Sequence, residues 1–322
     1  MDTLQDGFDP REFAGSAQRA VAACAALDVS ARAARLAEDG LLGVIADEAV
    51  GGLGLDPRFA VPVLQAAGAG DLGFPLLETM LLARHLAIVA PDAAAEIIAG
   101  QARATIAWSG AARPDMTGTV GRAPMARNAD WILVRLADGA ALLPGHAVAV
   151  SDAPGLDETL PEQRVALSGM EPATRLDAAC WAALAEDALL LRAALILGAA
   201  ETCLGLAVEH VTNRRQFGKP LVANQAMRHL LARQKLSLEG MRGCIARASA
   251  APANRLAREA AFLAAATHGP LILEACIQVH GGMGFTWDVP LHRHLRRIRA
   301  VEAQGGAVML RDGLAAALID AN

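Results

Sequence analysis

The residues best suited to chemistry fall in two short stretches. The first is Asn213-Arg214-Arg215-Gln216-Phe217-Gly218-Lys219-Pro220-Leu221, followed by Gln225. An arginine fork matches phosphate oxygens, and an aromatic ring beside it can cover a flat heterocycle. The second is Gln278-Val279-His280-Gly281-Gly282-Met283-Gly284-Phe285. Glycines let a backbone approach a ligand to hydrogen-bond distance, and a helix C-cap needs only one of them. Each stretch also has a plainer reading, since cations at a helix C-terminus favour the dipole and glycine ends helices.

Other candidates are weaker. His280 could carry a proton but reads as a capping or packing residue. Glu302 reads as the surface partner of Arg299. His292 and His294 alternate with Arg293, Arg296 and Arg297, with no carboxylate or cysteine four residues on, so a basic helix face is expected and no metal site. Five scattered cysteines fit neither a zinc pattern nor a disulfide framework and suggest a reducing cytoplasm. No nucleophile elbow or phosphate loop occurs.

The elements that must position these residues are mostly helical. The chain has 322 residues, 54% apolar and 20% charged, with a mean hydropathy of +0.32 and no tyrosine. It is long enough for two or three domains, and too apolar for a disordered chain. Its most apolar run, Ala188–Ala200, is broken by Arg192, so no membrane span is expected. The N-terminal MDTLQDGFDP has no leader character.

Helical patterns cover Ala14–Ala26, Ser30–Asp39, Arg58–Ala67 and Leu76–Val89, with a glycine-rich turn at Val50–Pro57. Short β-rich segments follow at Thr105–Trp108, Trp131–Leu136, Ala140–Pro144 and Ala147–Val150. Asp152–Glu162 reads as an exposed loop. Long helices return at about Trp181–Thr212, from after Pro220 to Ala250, at Asn254–Val279, and in a fourth that ends the chain. Gly269-Pro270 inside the third predicts a kink. The expected fold is therefore mainly α with a small central β-domain: an N-terminal helical domain (1–102), a β-barrel-like middle domain (103–178) and a C-terminal four-helix bundle (179–322). Charge divides along the chain. Before Arg192, 13 arginines face 25 acidic residues, a net of −12; from Arg192 onward 16 cations face 9 carboxylates, a net of +7. A basic C-terminal part suits a phosphorylated ligand or an acidic partner, and equally a set of solvated helix faces.

Taken together, Arg-x-Gln-Phe-Gly-Lys-Pro-Leu-x-x-x-Gln, then Gln-Val-His-Gly-Gly-x-Gly-Phe, then an arginine-rich helix resemble the acyl-CoA dehydrogenase family. Leu42–Gly54 looks like that family's N-terminal glycine turn. The resemblance implies FAD as cofactor and α,β-desaturation of an acyl-CoA thioester: a carboxylate removes the α-proton while the β-hydride passes to the flavin. It implies that Arg214 and Phe217 meet the FAD pyrophosphate and adenine, with Asn224 and Gln225 alongside. Gln278, Gly281 and Gly282 would supply the glycine-turn contacts, reaching into a neighbouring subunit's flavin site. Arg192 matches an arginine near the acyl-CoA.

The departures matter as much. Aligned on Arg296 and Arg299, the family's Glu-Gly-Thr turn reads Gly305-Gly306-Ala307. The other known position for the base is Leu191, and the aspartate expected three residues before Arg192 is Leu189. No residue of this chain is assigned as the base, which α-proton abstraction requires. The β-domain lacks the Thr-Glu-Pro strand, reading Ala107-Trp108-Ser109-Gly110, and a flavin-ring loop is reduced to Met125–Trp131. Some steroid-degrading members pair such a short, base-less subunit with a full one. The expectation is a heteromer whose homologous partner carries the glutamate, with electron-transfer flavoprotein as acceptor and no nucleic-acid partner. The alternatives are a non-catalytic assembly or binding subunit, and a homomeric flavoenzyme with a displaced base.

Overall fold

A computed structural model describes residues 9–250 and 254–320; the first eight residues, in which no leader is expected, lie outside it. Five helices come first: α1 (Glu12–Ala23), α2 (Val29–Glu38), α3 (Val61–Ala69), α4 (Leu76–His85) and α5 (Pro91–Ile98). Asp28 starts α2 by accepting from the Ala31 amide at 2.9 Å. The glycine turn between α2 and α3 is tight, for Gly51 has φ +90° and a Cβ on Gly52 would lie 2.2 Å from the Ala46 carbonyl oxygen.

Seven strands follow: β1 (Ala104–Ala107), β2 (Thr117–Pro124), β3 (Trp131–Leu136), β4 (Gly139–Pro144), β5 (Ala149–Asp152), β6 (Glu162–Ser168) and β7 (Thr174–Asp177). They form two sheets, ordered β1-β3-β4-β7 and β2-β6-β5, with β1 and β3 parallel and the other pairs antiparallel. Side-chain alternation sorts the first sheet. Ile132 and Val134 enter a core shared with Val120 and Val165 of the second sheet, whereas Leu133 turns to the helical core. Only β1, β3, β4 and β5 were expected. Glycines and threonines in Thr117-Gly118-Thr119-Val120-Gly121 disguise β2, and β6 and β7 lie beyond the loop.

The bundle consists of α6 (Ala178–Asn213), α7 (Gln225–Ser249), α8 (Arg255–His280) and α9 (Leu291–Gln304), followed by α10 (Ala307–Asp320). A two-residue hairpin, β8 (Arg215–Gln216) and β9 (Lys219–Pro220), joins α6 to α7. Asp177 caps α6 and Asn254 caps α8 through their side chains. α6 is apolar around its middle because it is packed on several sides, and it crosses α3 where a Cβ on Gly68 or Gly198 would meet the opposing backbone at 2.0 Å. α8 continues past Pro270, which has no N–H to donate to the Ala266 carbonyl, and Gly269 lets the helix close on Ile196.

By length and composition α6 and Arg255–Phe285 could each cross a membrane; 78% and 56% of their most apolar windows are buried within the protein. The uninterrupted run before and after Arg192 understates α6, which has 36 residues.

The Asp152–Glu162 loop is exposed over residues 154–156 and at Glu158 and Pro161, as read, but is anchored at points the sequence did not show. Asp157 and Leu160 are buried, and Asp157 binds buried Arg297 of α9. Arg297 also donates to the Leu72 carbonyl (2.8 Å) and Thr159 Oγ1 (2.7 Å), and lies 3.4 Å from Asp71. Arg293 meets Asp71 at 2.6 Å. These contacts fix α9, and with it the Gly305-Gly306 turn, against the rest of the chain.

Candidate functional site

Where the sheets meet the bundle, a cavity of about 600 Å³ opens beside α6 and the α9–α10 turn. Trp108, Trp181, Leu189, Arg192, Gly305 and Gly306 are among its lining residues. Arg192 is 2% exposed, its guanidinium 3.9 Å from the centre of the Trp108 ring. The Trp108 indole N–H donates to buried Glu78 at 2.8 Å. Nε and Nη2 of Arg192 are buried without a hydrogen-bond partner. Burial lowers the Arg192 pKa to about 10, opposed by the Glu78 charge. Burial likewise raises Glu78, against the indole bond and the charge of Arg192.

No base occupies the two positions where one was sought. A Cβ on Gly305 would lie 2.2 Å from the Phe262 ring, so the position is closed to side chains. Leu191 is fully buried among apolar residues. Glu302 pairs with Arg299 at 2.9 Å, the surface role expected of it. Glu186 lies at the cavity margin, 3.7 Å from Arg258.

The remaining candidates gather at the other end of the bundle. His210 near the end of α6 stacks on His280 at the end of α8, ring centres 4.3 Å apart, while His280 Nδ1 lies 2.8 Å from the Cys276 carbonyl. His280 is therefore a packing residue. The stack brings the Arg214 hairpin and the Gln278–Phe285 turn to one end. Leu221 N–H donates to the Arg214 carbonyl at 2.9 Å, closing the hairpin. Phe217 stands at its tip, 99% exposed with φ +50°; Phe285 and Trp287 are 72% and 63% exposed.

Arg214, Gln225 and Gln278 are exposed, and no acidic side chain among the described residues pairs with Arg214. Asn224 stands at the N-cap of α7 without using its side chain as a cap. Gly281 has φ +61° and ψ −138°, a conformation reserved for glycine. Gly282 has neither positive φ nor a neighbour that would obstruct a Cβ, so nothing in the chain itself requires its glycine. An arginine fork, unused amides, an aromatic tip and bare backbone fit a pyrophosphate with an attached flat ring.

The sequence reading missed Glu78 and the role of Trp108. A single carboxylate within Leu76-Leu77-Glu78-Thr79-Met80-Leu81 was an available signal.

The fold and these two sites define a mainly helical protein with a β-sandwich between helical parts and a ligand-sized cavity at their junction. Residues 182–318 match the acyl-CoA dehydrogenase C-terminal domain model. The acyl-CoA dehydrogenase IpdE2 of Mycobacterium tuberculosis is 36% identical over 133 residues, covering 39% of this chain and 38% of the relative. The acyl-CoA dehydrogenase FadE34 of the same organism is 30% identical over 284 residues, 83% of this chain and 39% of the relative. The matches thus span about two-fifths of these relatives' lengths. The ChsE4–ChsE5 complex from Mycobacterium tuberculosis contains a chain of the same fold, with a TM-score of 0.84 at 24% identity over 96% of this chain and 97% of that one. The chain belongs to the acyl-CoA dehydrogenase family.

Proposed function

We propose that this chain is one subunit of a FAD-dependent acyl-CoA dehydrogenase. It lends the Arg214–Gly282 end of its bundle to a flavin site completed by a homologous subunit, which carries the catalytic glutamate. The observation that carries this reading is a contrast: Gly305 is closed by Phe262 and Leu191 is buried, while the bundle end is polar and exposed. A chain with no base at either position gains from meeting one that has it.

Within that site Arg214 grips pyrophosphate oxygens with its fork, and Phe217 covers the adenine. Asn224, Gln225 and Gln278 donate from the side. Gly281 and Gly282 bring bare backbone against the cofactor. FAD, when bound, supplies the acceptor for the β-hydride of the acyl-CoA. Electron-transfer flavoprotein is the proposed acceptor downstream, and the cytoplasm the compartment. The ChsE4–ChsE5 complex, one chain of which shares this fold, offers a precedent for such pairing.

Arg214→Ala in the purified complex tests the assignment. Losing a charge-assisted contact of roughly 1.5–3 kcal/mol should weaken FAD retention about ten- to a hundredfold, with helicity unchanged. Unaltered retention would remove Arg214 from the site.

A further inference from the structure

The two stretches of the proposed half-site meet at a pair of rings. His210 lies in the last turn of α6, and its carbonyl accepts the Arg214 N–H at 2.8 Å, so its backbone holds the start of the hairpin. His280 is the last residue of α8 and directly precedes Gly281. The two rings stack with centres 4.3 Å apart and planes 27° from parallel. Among the described residues, no hydrogen bond or ion pair joins 214–225 to 278–285. The placing of the hairpin against the glycine turn therefore rests on the packing of α6 on α8 and, at its outer end, on this stack.

The stack is a neutral arrangement. A carbonyl only accepts, so His280 Nδ1 carries its proton toward Cys276 at 2.8 Å, and the uncharged ring leaves Nε2 bare. Aromatic faces attract at this spacing, whereas two imidazolium charges repel. The charged groups acting on His210 are the His280 ring across the stack from α8 and Arg214 at the end of its own helix, with none from α7 or the glycine turn. No carboxylate among the described residues pairs with either ring. Burial first, and then these two groups, hold the His210 pKa below the ordinary 6.5. Each ring also sits in the last turn of its helix, where the dipole favours a cation. The pair is poised between a stacked neutral state and a parted charged one.

We infer that His210 and His280 are positioning residues for the flavin half-site: the neutral stack sets the Arg214 hairpin against the Gly281 turn, and a proton taken up by the pair parts them and loosens the grip on the cofactor. The effect on flavin rests on the proposed function; the parting of the rings by a proton does not. The sign follows from the lowered His210 value. The stack is complete above about pH 6.5, and it weakens as the pH falls below that toward the folded-state value.

The test has two readouts. In the full chain alone, ring-proton resonances of His210 and His280, assigned through His210→Phe and His280→Phe, are followed from pH 8 to pH 5. His210 should titrate below 6.5 in the parent and higher in His280→Phe, where the facing charge is gone. In the co-expressed complex, FAD affinity is measured at pH 8 and pH 5.5. The parent should weaken about tenfold on acidification, the effect of one proton unit of linkage. His210→Phe stacks without titrating, so it should match the parent at pH 8 and lose most of the pH dependence. His210→Ala, with no ring, should bind FAD more weakly at both values.

A His210 midpoint at or above 6.5, or one unmoved by His280→Phe, would overturn the inference. So would an affinity that rises on acidification, which would mean that a charged ring assists the pyrophosphate. Flavin lost in Arg214→Ala together with a parent-like pH profile in His210→Phe defeats the positioning role alone. Flavin retention indifferent to Arg214→Ala defeats the half-site, and this role with it.

Discussion

The two ends of α6 differ in what their residues touch. Near Arg192, side chains from α4, from Trp108 just after β1, and from α6 and α8 close over one another, and a glycine sits where a base was sought because Phe262 fills the space. Near Arg214, cations, amides and aromatic rings stand at the surface with little of the chain around them. At the cavity end the chain's own side chains do most of the packing, around a space of about 600 Å³; the bundle end is shaped for something the chain does not supply. Substitutions should therefore be felt differently, as changes in folding stability at one end and in assembly with flavin at the other.

The largest stability effect is expected at Arg297, which binds Asp157, Thr159 and the Leu72 carbonyl from a buried position beside Asp71. Arg297→Ala leaves the buried Asp157 carboxylate without its ion pair, while Asp71 keeps Arg293, and should cost about 3–5 kcal/mol by urea denaturation. A loss below about 1 kcal/mol would mean that α9 is held in place by other contacts. Gly305→Ala comes next, at about 1–3 kcal/mol, because the new methyl meets the Phe262 ring. No loss would show slack there, and that turn could then accommodate a side chain.

A pH effect follows from His294, which packs near Asp71, Arg293 and Arg297. Burial, the larger cause, holds its pKa below the ordinary 6.5. The unfolded chain then binds the proton first, so stability falls as pH drops from about 6.5 toward the lowered folded value, and no further below it. His294→Gln should flatten that limb in denaturation curves; an unchanged limb assigns it to other groups. The smallest effect on the isolated chain is expected at Gly282, where alanine should change stability by less than about 0.5 kcal/mol. In the complex the same substitution should reduce flavin retention. A large loss in the isolated chain would place Gly282 among the packed residues and erase the contrast.

The bundle end was legible in the sequence because its residues are consecutive. The spacing from Arg214 to Gln225 and from Gln278 to Phe285 carries the pattern, and long apolar helices announced the bundle. The cavity end was not. Glu78, Trp108, Arg192 and Phe262 come from separate parts of the chain, and nothing local ties them together. The anchor of the largely exposed Asp152–Glu162 loop was hidden for a related reason: the partner of Asp157 lies on α9, far along the chain. β2 was hidden by glycines and threonines that supply no apolar run.

The central claim is that the flavin site needs two chains. The measurement that meets it most directly is FAD content and acyl-CoA desaturation for this chain alone, for a homologous glutamate-bearing subunit alone, and for the two co-expressed. The account predicts that this chain purified alone is colourless and inactive, and that the co-expressed pair is yellow and active. Stoichiometric FAD and turnover by this chain alone would contradict it.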